Sequence, residues 1–170
     1  MKEFLVVDGY NIIFAWPEFE KIKDTDLAHA RSRLVSILAN HSPLSGQKIY
    51  VVFDAHLVKG SVQRTEVIDG IEVIYTQMGE TADTFIESMV GELLKKGIVH
   101  VATSDCAEQG IVFGRGAYRV TPGELRANIN KTKNESRERY QRNLPVDAYL
   151  ENRLLDKVRS KLERLRRGKK

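Results

Sequence analysis

The sequence predicts a doubly wound α/β fold, in which helices cover both faces of a mostly parallel sheet. Short apolar runs of strand length alternate with longer stretches whose apolar residues follow helical spacing. Acidic residues stand where several of these runs end, and in a parallel sheet those ends share one edge. With 170 residues, 42% of them hydrophobic, the chain is long and apolar enough for one domain with a substantial core.

The strands are predicted from runs of β-branched and aromatic residues. The first run leads into Asp8-Gly9-Tyr10-Asn11, which we expect to form a tight turn because Gly and Asn tolerate turn conformations. For residues 55–70 two interpretations stay open: a substrate flap, or a hairpin in which Val67 and Ile68 pair as a short strand. The predicted strands cover residues 4–8, 48–54, 71–75, 98–104 and 117–120.

Helices are predicted where apolar residues recur on one face. The first should end before Pro43, because proline disrupts a helix interior. Thr121, followed three residues later by Glu124, predicts a capping box that opens a later helix. The first helix is expected at residues 26–40, and two more at residues 83–96 and 107–113.

Charge divides the chain after residue 125. Residues 1–125 carry 12 Lys and Arg against 17 Asp and Glu, a net charge of −5, whereas residues 126–170 carry 15 against 6, a net charge of +9. We therefore expect an α/β domain over 1–125 and a basic helical extension over 126–170, packed on that domain or projecting from it. Its first part is an exposed helix or an arm, and an amphipathic helix should start at Pro145. Such a segment commonly meets nucleic acid, although a merely solvated helix face is the alternative.

Composition argues against several classes of protein. A single cysteine, Cys106, rules out an intrachain disulfide and argues against zinc held by thiolates. No apolar run approaches the length of a membrane span, and the first residues lack the pattern of a signal peptide. We expect a cytoplasmic protein without a membrane partner. The four histidines are scattered, and no Ser-His-Asp order is evident.

Four aspartates are the leading candidates for chemistry. Asp8, Asp54 and Asp105 follow three of the predicted strands, and Asp83 lies in the first turn of a predicted helix. Carboxylates gathered at one sheet edge repel one another, and a cation would relieve this. Oxygen ligands suit Mg²⁺ or Mn²⁺, which act on phosphate esters. The sequence thus predicts a site for one or two such ions. Singly, each aspartate could instead be a turn or helix cap.

Other residues could support such a site. Asn11, in the turn after Asp8, could hold a carboxylate or a phosphate, Glu80 could serve as an outer ligand, and Ser104 could orient Asp105 or touch substrate. Tyr10, Trp16 and Tyr118 are candidates for stacking on unpaired bases, and His56 is the histidine nearest to the expected crevice. The candidate RNA-binding cations are Lys59, Arg64, Arg115, Arg119, Lys131, Lys133, Arg137, Arg139 and Arg142.

Five short blocks of the sequence carry a resemblance when they are taken together. The blocks are Asp8-Gly9-Tyr10-Asn11-Ile12-Ile13, Val52-Phe53-Asp54-Ala55, Gly79-Glu80-Thr81-Ala82-Asp83, Ala102-Thr103-Ser104-Asp105 and Gly114-Arg115-Gly116-Ala117-Tyr118-Arg119. They resemble the YacP-like NYN family of PIN-like ribonucleases and occur here in that family's order. The similarity covers about residues 3–125, and the basic tail is similar to the family's C-terminal extension.

This resemblance implies a PIN-like, three-layer α/β fold and an endoribonuclease dependent on Mg²⁺ or Mn²⁺. It implies that the acidic site residues are Asp8, Asp83 and Asp105, with Asp54 and Asn11 in support. It also implies work in RNA turnover, with mRNA as the substrate and the ribosome as a candidate partner.

Two other functions stay open. A catalytically silent adaptor that binds RNA or ribosomes would need the fold and the basic tail but no chemistry. A phosphatase, or a nuclease for flapped DNA, would use the same acids on another substrate.

Overall fold

The structure, a computed structural model, describes residues 2–54, 64–105, 110, 114–142, 158 and 161. The chain divides into two compact units, residues 1–133 and 134–170. The boundary that charge predicts, after residue 125, stays a prediction, since charge and compactness define different divisions.

The strands are β1 (Lys2–Asp8), β2 (Lys48–Phe53), β3 (Arg64–Ile68), β4 (Ile71–Tyr75), β5 (Gly97–Ala102) and β6 (Tyr118–Val120). The helices are α1 (Gly9–Ala15), α2 (Leu27–Ser45), α3 (Ala82–Leu94) and α4 (Pro122–Arg142), with a 3₁₀ turn at Pro17–Phe19.

The six strands form one sheet in the order β3-β4-β2-β1-β5-β6. All neighbouring pairs are parallel except β3 with β4, which confirms the predicted α/β fold with a mostly parallel sheet. The hairpin interpretation of Val67 and Ile68 is also confirmed, because both pair with β4. β1 lies between β2 and β5, so the chain changes direction across the sheet there, where ligands bind in such folds.

Alternate residues of the central strands enter two cores, one on each face of the sheet. On β1, Leu5 and Val7 belong to the core that includes α1 and α2, whereas Phe4 and Val6 belong to the core that includes α3. This alternation follows from the two-residue period of a strand. Continued beyond Val6, it brings Asp8 to the α3 face.

Two predicted breaks in the chain are wrong. The residues after Asp8 form α1 rather than a tight turn, because the Asp8 carboxylate accepts from the N–H of Asn11 and caps the helix. Pro43 lies inside α2, which ends instead at Gly46, where a left-handed backbone (φ 72°) lets the Gly46 N–H donate to the Ser42 carbonyl.

The capping box is present as predicted. The N–H of Glu124 donates to Thr121 Oγ1 at 3.2 Å, and the N–H of Thr121 donates to Glu124 Oε2 at 2.7 Å. The polar stretch predicted as an exposed helix or an arm is helical as far as Arg142. The helices predicted at 107–113 and from Pro145 lie largely outside the described residues. None of the helices that the structure describes combines the length and the apolarity needed to cross a bilayer.

Candidate active site

A cavity of about 340 Å³ opens at the carboxyl edge of the sheet, beside β1 and β2. Three of the four predicted aspartates, Asp8, Asp54 and Asp83, line it. None of the described residues that line it is basic. The other lining residues are Tyr10, Asn11, Phe14, Thr81 and Ala82.

Asp8 is the most enclosed of the acids, with 3% of its surface exposed. Its two oxygens accept from Asn11, Oδ1 from the backbone N–H at 3.2 Å and Oδ2 from the side-chain amide at 2.5 Å. Burial raises the pKa of Asp8, the two hydrogen bonds from Asn11 oppose this, and the charges of Asp83 and Asp54 raise it further. The cavity therefore holds a carboxylate whose ionised form costs free energy until a positive charge arrives.

Asn11 joins two strand ends. Its amide donates to Asp8 after β1, while its Oδ1 accepts from the Ser104 hydroxyl, beyond β5, at 2.5 Å. This link crosses the place where the chain changes direction in the sheet. Ser104 was predicted to orient Asp105, but its hydroxyl donates to Asn11 instead. The backbone N–H of Asp105 donates to Thr103 Oγ1 at 3.1 Å.

Asp54 and Asp83 face the cavity from β2 and α3. The N–H of Ala82 approaches Asp54 Oδ2 at 3.4 Å, which ties the start of α3 to the end of β2. Burial raises the pKa of Asp83, and so do the charges of Asp105 and Asp54. The start of α3 is fixed by Thr81, whose hydroxyl accepts from the N–H of Thr84 at 3.2 Å.

Asp105 flanks the cavity without lining it. It is exposed, and it lies close enough to Asp83 for their repulsion to raise the pKa of Asp83. Its alternative role as a helix cap concerns residues 106–109, which lie outside the described part of the chain. Glu80, the predicted outer ligand, is half-buried and is not among the residues that line the cavity.

The donor set suits a hard divalent cation. Three carboxylates offer oxygen ligands of the kind that Mg²⁺ and Mn²⁺ prefer, and an ion would offset the repulsion that raises the pKa of Asp8 and Asp83. Across residues 2–54, 64–105 and 114–142, however, no three Asp, Glu, His or Cys side chains stand close enough together to form a ready-made metal site. An ion held by all three carboxylates would require them to stand closer together than they do here.

Three residues that line the cavity, Phe14, Thr81 and Ala82, are not among the predicted site residues. Phe14 keeps 47% of its surface exposed although it follows the buried pair Ile12 and Ile13. The available signal was its spacing from Tyr10, because residues four apart share a face of a helix.

Two of the aromatic predictions need correction. Trp16 is buried, and its indole N–H donates to the Pro122 carbonyl at 2.8 Å, so it has no open face for a base. Tyr10 is also buried, and it lies beneath Phe14. Tyr118 is 60% exposed, but it stacks on His100 and is not among the residues that line the cavity.

The predicted basic residues fall into two groups. Arg64 pairs with Glu66 at 3.0 Å and lies over the Tyr75 ring, and Arg115 pairs with Glu87. The others that the structure describes are also exposed, and Arg142 among them pairs with Glu138 at 3.4 Å. They are Arg119 on β6, and Lys131, Lys133, Arg137, Arg139 and Arg142 on α4. Lys59, His56 and Cys106 lie outside the described residues.

Comparison with known proteins agrees with this arrangement of elements. The family model for the "YacP-like NYN domain" matches residues 5–167. A protein of Bacillus subtilis (strain 168) named "Uncharacterized protein YacP" is 35% identical over 167 residues, which is 98% of this chain and 98% of that protein.

Crystal structures of Rae1 (YacP) from Bacillus subtilis are also similar. One matches at 36% identity with a TM-score of 0.71, covering 97% of this chain and 95% of that one. A mutant of the same protein matches at 35% identity and a TM-score of 0.69, covering 82% and 81%. With its fold, its acidic edge and these matches, the chain belongs to the YacP-like NYN domain family, which has a PIN-like nuclease fold.

Proposed function

We propose that this chain is an endoribonuclease that depends on Mg²⁺ or Mn²⁺ and hydrolyses RNA phosphodiesters in mRNA decay. One observation carries the proposal: Asp8, Asp54 and Asp83 converge on one cavity, with no basic residue among the described residues that line it, in a protein of a PIN-like nuclease family. The substrate would be mRNA, the ribosome is a candidate partner, and the lone cysteine suits the cytoplasm.

The acids and their neighbours have different tasks in this proposal. Asp8 and Asp83 would hold the metal, with Asp54 beside them and Asp105 at the rim. When bound, one or two ions would supply an activated water and offset the charge of the reacting phosphate. Asn11 positions Asp8 through two hydrogen bonds, and the Ser104 hydroxyl holds Asn11 in turn. This leaves the Asp8 oxygens few orientations.

The exposed cations of α4 would hold the RNA backbone. They supply positive charge that the acidic domain, at −5, lacks. Contacts to phosphates are sequence-independent and weaken steeply as salt rises. The tail would therefore raise affinity while the acidic cavity supplies the chemistry.

A second candidate function is a catalytically silent adaptor that binds RNA or ribosomes. The observation in its favour is that the acids, over the residues that the structure covers, are not already grouped as a metal site. An adaptor would keep the basic helix and would tolerate the loss of the acids.

Cleavage of end-labelled single-stranded RNA by the full chain in Mg²⁺, with and without ribosomes, tests the proposal. We expect Asp8→Asn and Asp83→Asn each to lower kcat/KM at least about a hundredfold, because each removes a charged ligand. Asp69→Asn is a matched control, since Asp69 lies in the β3–β4 turn at the opposite edge of the sheet. Its left-handed backbone (φ 47°) suits Asn equally well.

The outcomes separate the candidates. Cleavage that both site variants retain would show that these acids are not the catalytic ones. RNA that the parent binds but never cuts, even with ribosomes, would favour the adaptor. Faster cleavage of flapped DNA or of small phosphomonoesters in parallel reactions would point to the third class of substrate.

A further inference from the structure

Phe14 brings an exposed aromatic ring into the cavity that the three aspartates line. Single exposed apolar residues are ordinary on protein surfaces. This one, however, lines the same cavity as Asp8 and Asp83. A phenyl ring neither ligates a metal ion nor transfers a proton. In this cavity it could instead contact an apolar or aromatic part of the substrate.

The ring is held from below by other aromatic side chains. Tyr10 lies against Phe14, with ring centroids 6.2 Å apart and planes at 28°. Tyr10 meets Phe53 edge to face at 5.2 Å, and its hydroxyl accepts from Arg31 Nη1 at 2.9 Å. Phe53 is fully buried. Phe14 therefore stands on a fixed base, with about half of its surface open.

We propose that Phe14 is a stacking platform for one unpaired base of the RNA, beside the phosphodiester at the acids. The inference rests on the proposed function and gives that site a preference for single-stranded substrate. Phe14 lies six residues after Asp8, roughly 9 Å along α1, which is the reach of one or two nucleotides.

Stacking on an aromatic side chain accepts any base, because every base has a π face. A base within a duplex has both faces covered by its neighbours, so only an unpaired or extruded base can use the platform. The site would accordingly discriminate by strandedness, with little dependence on sequence.

Tyr118 provides a matched comparison. It too is an exposed ring stacked on a neighbour, His100, at 5.3 Å and 25°. It does not line the acidic cavity. If stacking depends on proximity to the acids, RNA binding should weaken when Phe14 is replaced and should be retained when Tyr118 is replaced.

The test pairs variants of the full chain with RNAs that each lack one base. A labelled single-stranded RNA is compared with a series in which successive positions are abasic, and both Kd (by anisotropy) and kcat/KM are measured. We expect Phe14→Ala to weaken binding of intact RNA at least about fivefold. Phe14→Trp should retain binding, and Tyr118→Ala should change it little. On RNA that is abasic at one position, the parent and Phe14→Ala should bind alike.

Each other outcome overturns the platform. Phe14→Ala binding intact RNA as well as the parent does would exclude stacking. An equal loss by Phe14→Ala on every abasic RNA would mean that the ring has only a structural role, and thermal unfolding of the variant would check its fold. Dependence on Tyr118 in place of Phe14 would move the contact elsewhere. Anisotropy measures binding and needs no cleavage. A parent that binds RNA without cutting it would contradict the proposed function, and the binding data would still decide whether Phe14 stacks on a base.

Discussion

Asp8 and Asp83 are held where the ionised form is disfavoured. Burial, which is nearly complete at Asp8 and only partial at Asp83, is the largest cause of the raised pKa of each, and neighbouring carboxylates add to it. Such groups cost stability in the metal-free protein and become useful when a cation binds, a common conflict between function and stability. Asp83 tests this most cleanly, because no hydrogen bond to its carboxylate contributes to the shift of its pKa.

With chelator present, Asp83→Asn should stabilise the folded protein at pH 7. The pKa of Asp83 is higher in the folded state than the reference value of 3.8, so the folded state holds this proton more tightly. Its stabilising contribution is complete below about 3.8 and is lost as the pH rises through the folded pKa. The gain at pH 7 should be about 0.5 kcal/mol or less, since Asp83 is largely exposed and solvent screens the repulsion.

Thermal unfolding of the parent and of Asp83→Asn between pH 3 and pH 7 measures this gain. The difference in Tm between the parent and Asp83→Asn should grow with pH. A variant less stable than the parent at pH 7 would mean that the favourable interaction of Asp83 with the first turn of α3 outweighs the repulsion.

At the scale of elements, the start of α1 depends on a close approach between backbone and ring. A Cβ placed on Gly9 would fall far inside contact distance of the Phe53 ring, which is fully buried between Tyr10 and Tyr75. The missing side chain lets α1 begin directly at the end of β1. Asp8 and Asn11 owe their positions to that abrupt start.

Gly9→Ala should therefore destabilise the protein by about 1–3 kcal/mol, because the ring must leave its packed position. Gly123→Ala is the matched control: it lies in the first turn of α4 with nothing within 4 Å, and alanine there should be neutral or stabilising by up to about 1 kcal/mol. Urea unfolding measures both. A Gly9→Ala protein as stable as the parent would contradict the contact.

Sequence reasoning located the central strands well and the helix ends less well. β1, β2 and β4 are covered on both faces, so their apolar runs are continuous and visible. Gly and Asn after Asp8 indicate a turn, because both residue types favour turns, whereas in the structure Asp8 caps α1. The end predicted for α2 before Pro43 is too early, since Pro43 removes only one hydrogen bond and the left-handed Gly46 ends the helix.

The same limit applies to the site. Aspartates at strand ends could be predicted because parallel strands bring those ends to one edge, and three of the four do line one cavity. The spacing of Phe14 from Tyr10 becomes a signal only once α1 is known to be a helix. The exposure of Phe14 then depends on how α1 is rotated on the sheet, which the single apolar run Ile12-Ile13-Phe14 does not reveal.

For the molecule as a whole, the two ends of the sheet differ in the charged residues that they carry. The amino ends of β1 and β2 carry Lys2 and Lys48, and the carboxyl ends carry the acids. Sheet order, helix starts and the Asn11 link all bring negative charge to that carboxyl edge. This arrangement costs stability unless a cation is bound there. The carboxyl edge should therefore bind a divalent cation.

Calorimetric titration of the full chain with Mn²⁺ tests that claim most directly, with Asp69→Asn as the control. We expect the parent and the control to bind one or two ions. Asp8→Asn and Asp83→Asn should each bind Mn²⁺ at least about tenfold more weakly, because a charged oxygen ligand is lost. A parent that takes up no ion at millimolar Mn²⁺, or site variants that bind as tightly as the parent, would contradict it.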